Sequence, residues 1–237
     1  MRKQTIVVHS GGMDSSLCLA LAIREFGPDE VLSLGFTYGQ RHSLELERAA
    51  EICKKWNVDR VVIDINCLAQ VTEDALTNHN IDIKHEPGKE PNTLVVGRNG
   101  LMARIAAIHA NSLGATSIYM GVIEVESANS GYRDCSRAYM DLMQEIMRID
   151  LGVPGFEIRT PIARMTKRET MDLGHEMEVL TYLLDRTITC YEGVPQEGCR
   201  ACPACVLRNT GLADFLGDHP EFKPPYVTAS RPATERR

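Results

Sequence analysis

Short apolar runs alternate with amphipathic stretches along the chain. The runs 5–9, 31–36 and 60–65 are rich in β-branched residues and end at glycine or polar residues, which is typical of buried strands. The stretch 43–56 has apolar residues at helical spacing between charged ones, and it predicts a helix. The first helix follows residue 16 and is expected to end near 26–28. The rhythm continues with a helix near 99–113, a strand at 117–122, a helix near 137–149, a strand at 156–160 and a helix from 166.

Strand and helix alternating at this spacing predict parallel βαβ units. We therefore expect an α/β fold of the Rossmann-like type, a parallel sheet with helices on both faces. Residues 72–96 interrupt the pattern with asparagine, proline and glycine, and they predict a long loop of the kind that covers active sites or is partly disordered. The expected organisation is an α/β domain over 1–185, a small cysteine-rich segment over 186–218 and a loosely ordered tail over 219–237.

Composition narrows the class of protein. The 237 residues are 43% apolar and 24% charged, which excludes collagen-like and largely disordered chains. The net charge of -6 and the pI of about 5.7 give no broad footprint for nucleic acid. The longest apolar run, 17–23, is too short to span a bilayer, and the first residues lead into a strand instead of a signal sequence. We expect a cytoplasmic protein.

A glycine turn joins the first strand to the first helix. It reads Ser10, Gly11, Gly12, Met13, Asp14, Ser15, Ser16. Glycines there let the backbone approach a phosphate, and the free N–H groups and the helix dipole point at the same place. There is no Walker lysine and no third glycine of a dinucleotide fingerprint. A plain turn capped by Asp14 or Ser15 is the alternative that needs no ligand.

Four of the eight cysteines lie within sixteen residues: Cys190, Cys199, Cys202 and Cys205. Two successive x2 spacings among turn residues bring thiolates together as tetrahedral zinc requires. With four protein ligands the zinc would be structural. An iron–sulfur cluster, a redox pair and buried unpaired cysteines are the alternatives. The other four cysteines are scattered, which does not fit a disulfide framework.

The glycine turn resembles the SGGxDS loop of the PP-loop ATP pyrophosphatases, which hold the β,γ-pyrophosphate while ATP is split to AMP and pyrophosphate. With the segments 38–42, 91–99, 130–135, 160–169 and 189–205, the chain resembles the QueC family, 7-cyano-7-deazaguanine synthase. The resemblance implies the adenine nucleotide alpha hydrolase type of Rossmann-like fold, with 1–185 as the ATP-binding domain. It implies a homodimer with one zinc ion per chain and Mg²⁺ with ATP. It also implies a queuosine-pathway ligase that adenylates 7-carboxy-7-deazaguanine, adds ammonia and dehydrates the amide to the nitrile.

The resemblance also assigns site residues. Ser10 to Ser16 and His42 are expected to bind ATP, with Asp14 bridged to the phosphates by Mg²⁺. Arg98 and Lys167 are expected to neutralise pyrophosphate charge, although each is also compatible with a surface or helix-end cation. Asp134 is a candidate for catalysis and for recognising the guanine-like edge. The expected substrate residues are Asn99, Tyr132, Arg133 and Asp134, where Asn99 could instead cap a helix and His42 could be structural.

The sequence departs from the family pattern at several positions. Val96 and Arg133 stand where proline is usual, Arg200 stands where glycine is usual, and about two residues are inserted upstream of Tyr132. Because these changes near 96 and 126–135 fall on the expected substrate side, the amine donor and the product are open. An enzyme of an antiphage operon that joins the activated carboxylate to a protein amine is one alternative. A PP-loop RNA-modifying enzyme and a non-enzymatic zinc module are the others.

Overall fold

The sheet has five parallel strands in the order β3-β2-β1-β4-β5. The computed structural model describes residues 2–39, 43–76, 80–83, 91–124 and 131–226. Each strand lies where an apolar run predicts one. The strands are β1 (Thr5–Val8), β2 (Val31–Thr37), β3 (Asp59–Asp64), β4 (Ser117–Met120) and β5 (Glu157–Arg159).

Seven α-helices connect and follow the strands in the described part of the chain. They are α1 (Met13–Phe26), α2 (Leu44–Trp56), α3 (Arg98–Ser112), α4 (Arg137–Leu151), α5 (Lys167–Glu176), α6 (Leu180–Arg186) and α7 (Pro203–Asp218). The strands and the helices α1 to α5 match the predicted elements. Their observed ends lie within two residues of the predicted ones, except that α1 begins at Met13 and not after residue 16. The predicted α/β fold with a parallel sheet is confirmed.

The two faces of the sheet carry two separate apolar cores. Ile6 and Val7 are neighbours on β1 and point to opposite faces, because successive side chains on a strand alternate. Val7 packs with the core that α1, α2, α5, α6 and α7 supply. Ile6 packs with α3 and α4 through alanine and methionine side chains. Helices on both faces explain why the central strands are buried along nearly their whole length.

The chain order reverses beside β1. The chain runs from β1 outward to β3 and then returns to place β4 on the other side of β1. In open parallel sheets, ligands bind in the crevice outside the carboxyl ends of the strands at such a switch point. We therefore expect the ligand site to include the residues that follow Val8 at the end of β1 and Met120 at the end of β4.

Two features of the C-terminal third differ from expectation. The cysteine-rich sequence continues into the helix α7, which begins at Pro203, where the ring fits the first helical turn. Of the expected loose tail, residues 219–226 are described, and Phe222 and Tyr226 pack against the core that contains α7. Residues 227–237 lie outside the described part. Within the described residues, no helix combines the length and apolar character needed to cross a membrane.

Candidate active site

The turn after β1 approaches α2 so closely that only glycine fits. Gly11 has φ +99°, and a Cβ there would lie 2.0 Å from the backbone oxygen of Glu45. Gly12 precedes α1 in extended conformation and supplies no side-chain cap. The first N–H groups of α1 thus face the crevice at the positive end of the helix dipole. The predicted anion site has the local geometry that it requires.

Three serine hydroxyls brace this turn from within. Ser15 donates to the Gly12 carbonyl at 3.1 Å and lies 3.1 Å from the Ser10 hydroxyl. Ser16 donates to the same carbonyl at 2.8 Å. Because the hydroxyls are held by the turn itself, the loop is shaped before any ligand arrives.

A buried polar chain supports the turn from below. Arg60 donates to the Ser33 hydroxyl at 2.8 Å, and His9 lies 3.0 Å from Ser33 through Nδ1 and 3.0 Å from Ser16 through Nε2. Since Ser33 accepts from Arg60, its own proton is available for His9 Nδ1, which leaves Nε2 to donate to Ser16. Burial, with the Arg60 charge second, lowers the pKa of His9 to about 3. The imidazole is therefore neutral, as this direction of donation requires.

An ion pair joins the loop to α5. Lys167 donates to both carboxylate oxygens of Asp14, at 2.6 and 2.7 Å. Lys167 is only 4% exposed, because α7 passes over its stem at Gly211, where a Cβ would lie 2.7 Å from the lysine Cβ. Thr166 and Glu169 form a capping box that fixes the start of α5. The structure thus brings Lys167, one of the two cations expected at the pyrophosphate, together with Asp14, the expected Mg²⁺ residue.

Arg98 enters the crevice from the first turn of α3. Its guanidinium donates to the Tyr38 hydroxyl at 3.3 Å and lies 5.4 Å from the centre of that ring. Glu45 lines the same crevice, where burial raises its pKa to about 7 against the opposing effect of Arg98. A cation and a carboxyl group of shifted pKa in one cleft are typical of a ligand-binding site.

The phosphate loop, Tyr38, Glu45 and Arg98 line a cavity of about 320 Å³ at the switch point. This is within the size range of small-molecule pockets, roughly 300 to 1,000 Å³. Its lining combines the phosphate loop, the ends of β2 and β4, the start of α3 and the segment before the cysteines. The lining residues include Ser10, Asp14, Tyr38, Glu45, Arg98, Asn99, Ile188, Tyr191 and Ala204.

The expected substrate residues occupy different places. Asn99 lines the cavity and donates to the Cys135 sulfur at 3.3 Å. Asp134 is 6% exposed and accepts from the Asn99 backbone N–H at 3.0 Å, so it caps the start of α3. Tyr132 exchanges a hydrogen bond with Thr93, and Arg133 is exposed. A catalytic role for Asp134 stays a prediction, and His42 lies outside the described residues.

The four cysteines form a compact cluster. Their sulfurs lie within 4.8 Å of one another. Only glycine fits at position 198, because a Cβ there would lie 2.2 Å from the Cys205 sulfur. A hydrogen bond from Cys205 lowers the pKa of Cys202 to about 5, while it raises that of Cys205. Crowded sulfurs that cannot all ionise together without a cation fit a metal site of soft ligands.

The cysteine cluster is part of the cavity wall. Tyr191 packs against the cluster and lines the cavity, and Ala204 lines it from the first turn of α7. The Ile188 N–H donates to the Gly11 carbonyl at 3.2 Å, which ties this segment to the phosphate loop. Tyr38, Glu45 and Tyr191 were not among the expected site residues, although Tyr38 begins the segment 38–42 that carries the resemblance.

Comparison with known proteins agrees with this geometry. The family model described as queuosine biosynthesis protein QueC matches residues 4–216. The chain belongs to the QueC family. This membership, together with the phosphate loop, makes it an ATP-using enzyme of the PP-loop type.

Solved structures give weaker likenesses. The NH3-dependent NAD synthetase from Campylobacter jejuni is 17% identical over 77% of this chain and 68% of its own, with a TM-score of 0.48. The NMN synthetase from Francisella tularensis is 13% identical over 95% of this chain and 90% of its own, with a TM-score of 0.48. The U34-tRNA thiolase NcsA from Methanococcus maripaludis, with its [4Fe-4S] cluster, is 12% identical over 92% of this chain and 66% of its own, with a TM-score of 0.48. At these scores the likeness by itself decides neither fold nor activity.

Proposed function

We propose that this QueC-family protein is a carbon–nitrogen ligase that adenylates the carboxylate of 7-carboxy-7-deazaguanine. Ammonia then attacks the acyl adenylate, and a second activation converts the amide to the nitrile, 7-cyano-7-deazaguanine. The observation that carries the proposal is the convergence on one cavity of the phosphate loop, whose Asp14 is paired with the buried Lys167, and of Arg98. This arrangement suits the departure of pyrophosphate.

Activation of a carboxylate requires stabilisation of the charge that leaves. The amides at the start of α1 would bind the β,γ-phosphates, in a turn whose shape the hydroxyls of Ser10 and Ser15 maintain. Lys167, held beside Asp14, and Arg98, held over Tyr38, would neutralise the charge that develops on pyrophosphate. Because both cations are positioned before the ligand binds, little reorganisation is needed in the transition state.

Asp14 is the residue that would hold Mg²⁺ with ATP. Its carboxylate lines the cavity and is 30% exposed, and carboxylate oxygens are ligands that Mg²⁺ prefers. The ion would supply further positive charge to the phosphates. The same carboxylate orients Lys167, so Asp14 serves both cations of the site.

The acid would lie on the α3 side of the cavity. Asn99 on α3 presents an amide there, and Glu45, which lies on α2 and interacts electrostatically with Arg98, presents a carboxyl group; both can hydrogen-bond a guanine-like edge. Tyr191 closes the cavity from the cysteine segment and shields an amide intermediate from water. Cys190, Cys199, Cys202 and Cys205 would hold one structural zinc ion that fixes this wall.

The test is a reaction of the purified protein with ATP, Mg²⁺, 7-carboxy-7-deazaguanine and ammonium. AMP, pyrophosphate and the nitrile are the expected products, measured by chromatography and mass spectrometry. Asp14→Asn should lower AMP formation by about 100-fold or more, as loss of an electrostatic group commonly does. Asp29→Asn, which changes an exposed carboxylate far from the cavity lining, should leave it unchanged. Release of ADP and phosphate would contradict the proposal.

One observation favours a protein amine, in place of ammonia, as the acceptor of the activated carboxylate. Arg133 is exposed beside Tyr132, in the segment where the sequence departs from the family pattern. An exposed guanidinium could bind carboxylates of a protein that offers an amine. If the reaction above stops at adenylate or amide, and a co-encoded protein gains the deazaguanine mass, the acceptor is that protein and not ammonia.

The homodimer implied by the family has a candidate surface. Leu142, Ile146 and Ile149 on α4 are 70%, 41% and 81% exposed and follow one another at helical spacing. We propose that two copies of the chain meet on this stripe.

A further inference from the structure

Two helices bring a second set of metal-ligating groups together, away from the four cysteines. A ring nitrogen of His175 at the end of α5, a ring nitrogen of His219 just after α7, and a carboxylate oxygen of Glu221 lie within 4.8 Å of one another. The family match ends at residue 216, before two of these three residues. We infer that His175, His219 and Glu221 form a second binding site, for a zinc-type divalent ion.

The tautomer of His219 supports this inference. Its Nε2 lies 3.2 Å from a carboxylate oxygen of Asp172, which also pairs with Arg168 at 3.1 Å. Arg168 reaches Asp218 at 2.7 Å, so Asp172 is anchored from the far side. A carboxylate that accepts from one ring nitrogen leaves the lone pair on the other nitrogen. Carboxylate–histidine pairs of this kind orient the histidines that bind metal ions.

The free side of His219 faces another acceptor. Nδ1 lies 3.5 Å from the Glu221 carboxylate. A lone pair and a carboxylate repel each other unless a proton or a metal ion lies between them. Tetrahedral zinc with bonds of about 2.0 to 2.1 Å separates its ligands by roughly 3.3 to 3.4 Å. The 3.5 Å between His219 Nδ1 and the Glu221 carboxylate is close to this ligand-to-ligand distance. It is long for a hydrogen bond between the two groups.

Aromatic rings enclose the two histidines. Phe215 stacks on His219 with centroids 4.4 Å apart, and Phe222 meets His175 edge-on at 5.5 Å. An apolar wall fixes the ring planes and limits access of water, as it does around many metal sites. The proposed ion would clasp α5 to the segment after α7, at the opposite end of α5 from Lys167. Three protein ligands leave one position for water.

Metal content of the full chain tests the inference independently of any ligase activity. After incubation with excess Zn²⁺ and removal of unbound metal, elemental analysis should find two zinc ions per chain. His175→Gln and His219→Gln should each reduce this to one, held by the cysteines. Asp172→Asn keeps every ligand and should weaken the second site about 10- to 100-fold. Glu221→Gln should weaken it too, whereas Glu176→Gln, an exposed glutamate next to His175, should not.

Replacing Zn²⁺ with Co²⁺ distinguishes the two sites by their absorption spectra. The cysteine site should give intense sulfur-to-metal absorption in the near ultraviolet, and the second equivalent should add only weak visible bands. The histidine variants should keep the first signal, which shows that they fold, and lose the second. One zinc ion per wild-type chain, or a second ion that His219→Gln does not remove, would overturn the inference.

Discussion

The ammonium group of Lys167 lies 2.6 and 2.7 Å from the two oxygens of Asp14, across 153 residues of sequence. The pair joins the first turn of α1 to the first turn of α5, so two helix N-termini meet beside the cavity that Asp14 lines. Lys167 has 5% of its side chain exposed and Asp14 has 30%. If the ion pair is broken, water can therefore solvate the Asp14 carboxylate better than it can solvate the Lys167 ammonium group.

That difference predicts unequal effects of neutralising each partner. Asp14→Asn removes the charge that faces a buried ammonium and should destabilise the protein by about 2 kcal/mol. Lys167→Met keeps the stem packed against Gly211 and leaves a carboxylate that water reaches, so its cost should be well under 1 kcal/mol. Urea unfolding of both variants measures this, and a larger loss for Lys167→Met would contradict the account.

Catalysis should respond differently from stability. If Asp14 and Lys167 act on the same phosphates as a unit, each single variant should lower AMP formation by about 100-fold or more. The double variant should then be little worse than either single variant, because effects of groups that act together are not additive. Rates that multiply in the double variant would show that the two residues act separately.

The neutral His9 makes stability depend on pH in a defined window. Its pKa is about 3 in the folded protein against 6.5 for an ordinary histidine, so the unfolded chain binds more protons between these values. The contribution is fully present above pH 6.5 and is lost as pH falls, by about 2 kcal/mol at pH 5. His9→Asn should be less stable than wild type at pH 7.5, and the difference should shrink toward pH 5.

His109→Asn is the matched control for that experiment. His109 lies on α3, outside the network of Arg60, Ser33 and Ser16. If its substitution shifts the pH dependence of unfolding as much as His9→Asn does, the effect is not specific to the His9 network. If His9→Asn keeps the wild-type pH dependence, then His9 does not carry the proton difference, and another group does.

Most of the fold could be predicted because its elements are local patterns. The runs that form β1, β2 and β4 are mostly apolar and are buried along nearly their whole length, as strands covered on both faces must be. The helix α7 was missed because glycine, proline and cysteine before it indicated turns. Its signal was present: Cys205, Arg208, Leu212 and Phe215 are buried at helical spacing. Pro203 begins the helix instead of preventing it.

The site was predictable only where the motif itself is local. The loop Ser10–Ser16 has the expected geometry because strand, glycine turn and helix follow in sequence. That Tyr191 and Ile188 complete the same cavity could not be read from spacing, because it depends on how the cysteine segment packs beside β1. Nor does periodicity distinguish Glu45, which has the spacing of an ordinary polar residue on a helix.

Removal of metal from the cysteine site should weaken nucleotide binding as well as folding. The cluster supports Tyr191 and the Ile188 contact to Gly11, so its loss should open the cavity wall. Cys202→Ser should lose the thiolate-bound metal and raise the Kd for ATP at least 10-fold. Elemental analysis and calorimetry measure both quantities. Cys67→Ser, an exposed cysteine outside the cluster, should change neither. Iron in the purified protein would contradict the zinc assignment.

The stripe of Leu142, Ile146 and Ile149 predicts how two copies associate. Side chains of this size gain roughly 1.5 to 3 kcal/mol each when fully removed from water, and a twofold contact buries each of them twice. A glutamate at Leu142 would place two like charges in that contact. Leu142→Glu should therefore raise the dimer Kd by about 100-fold or more, measured by sedimentation velocity over a range of concentrations. Val71→Glu replaces a valine that is 78% exposed elsewhere on the surface, and it should leave the dimer intact. A wild-type chain that sediments as a monomer, or dissociation caused equally by both substitutions, would show that the stripe is not the contact between copies.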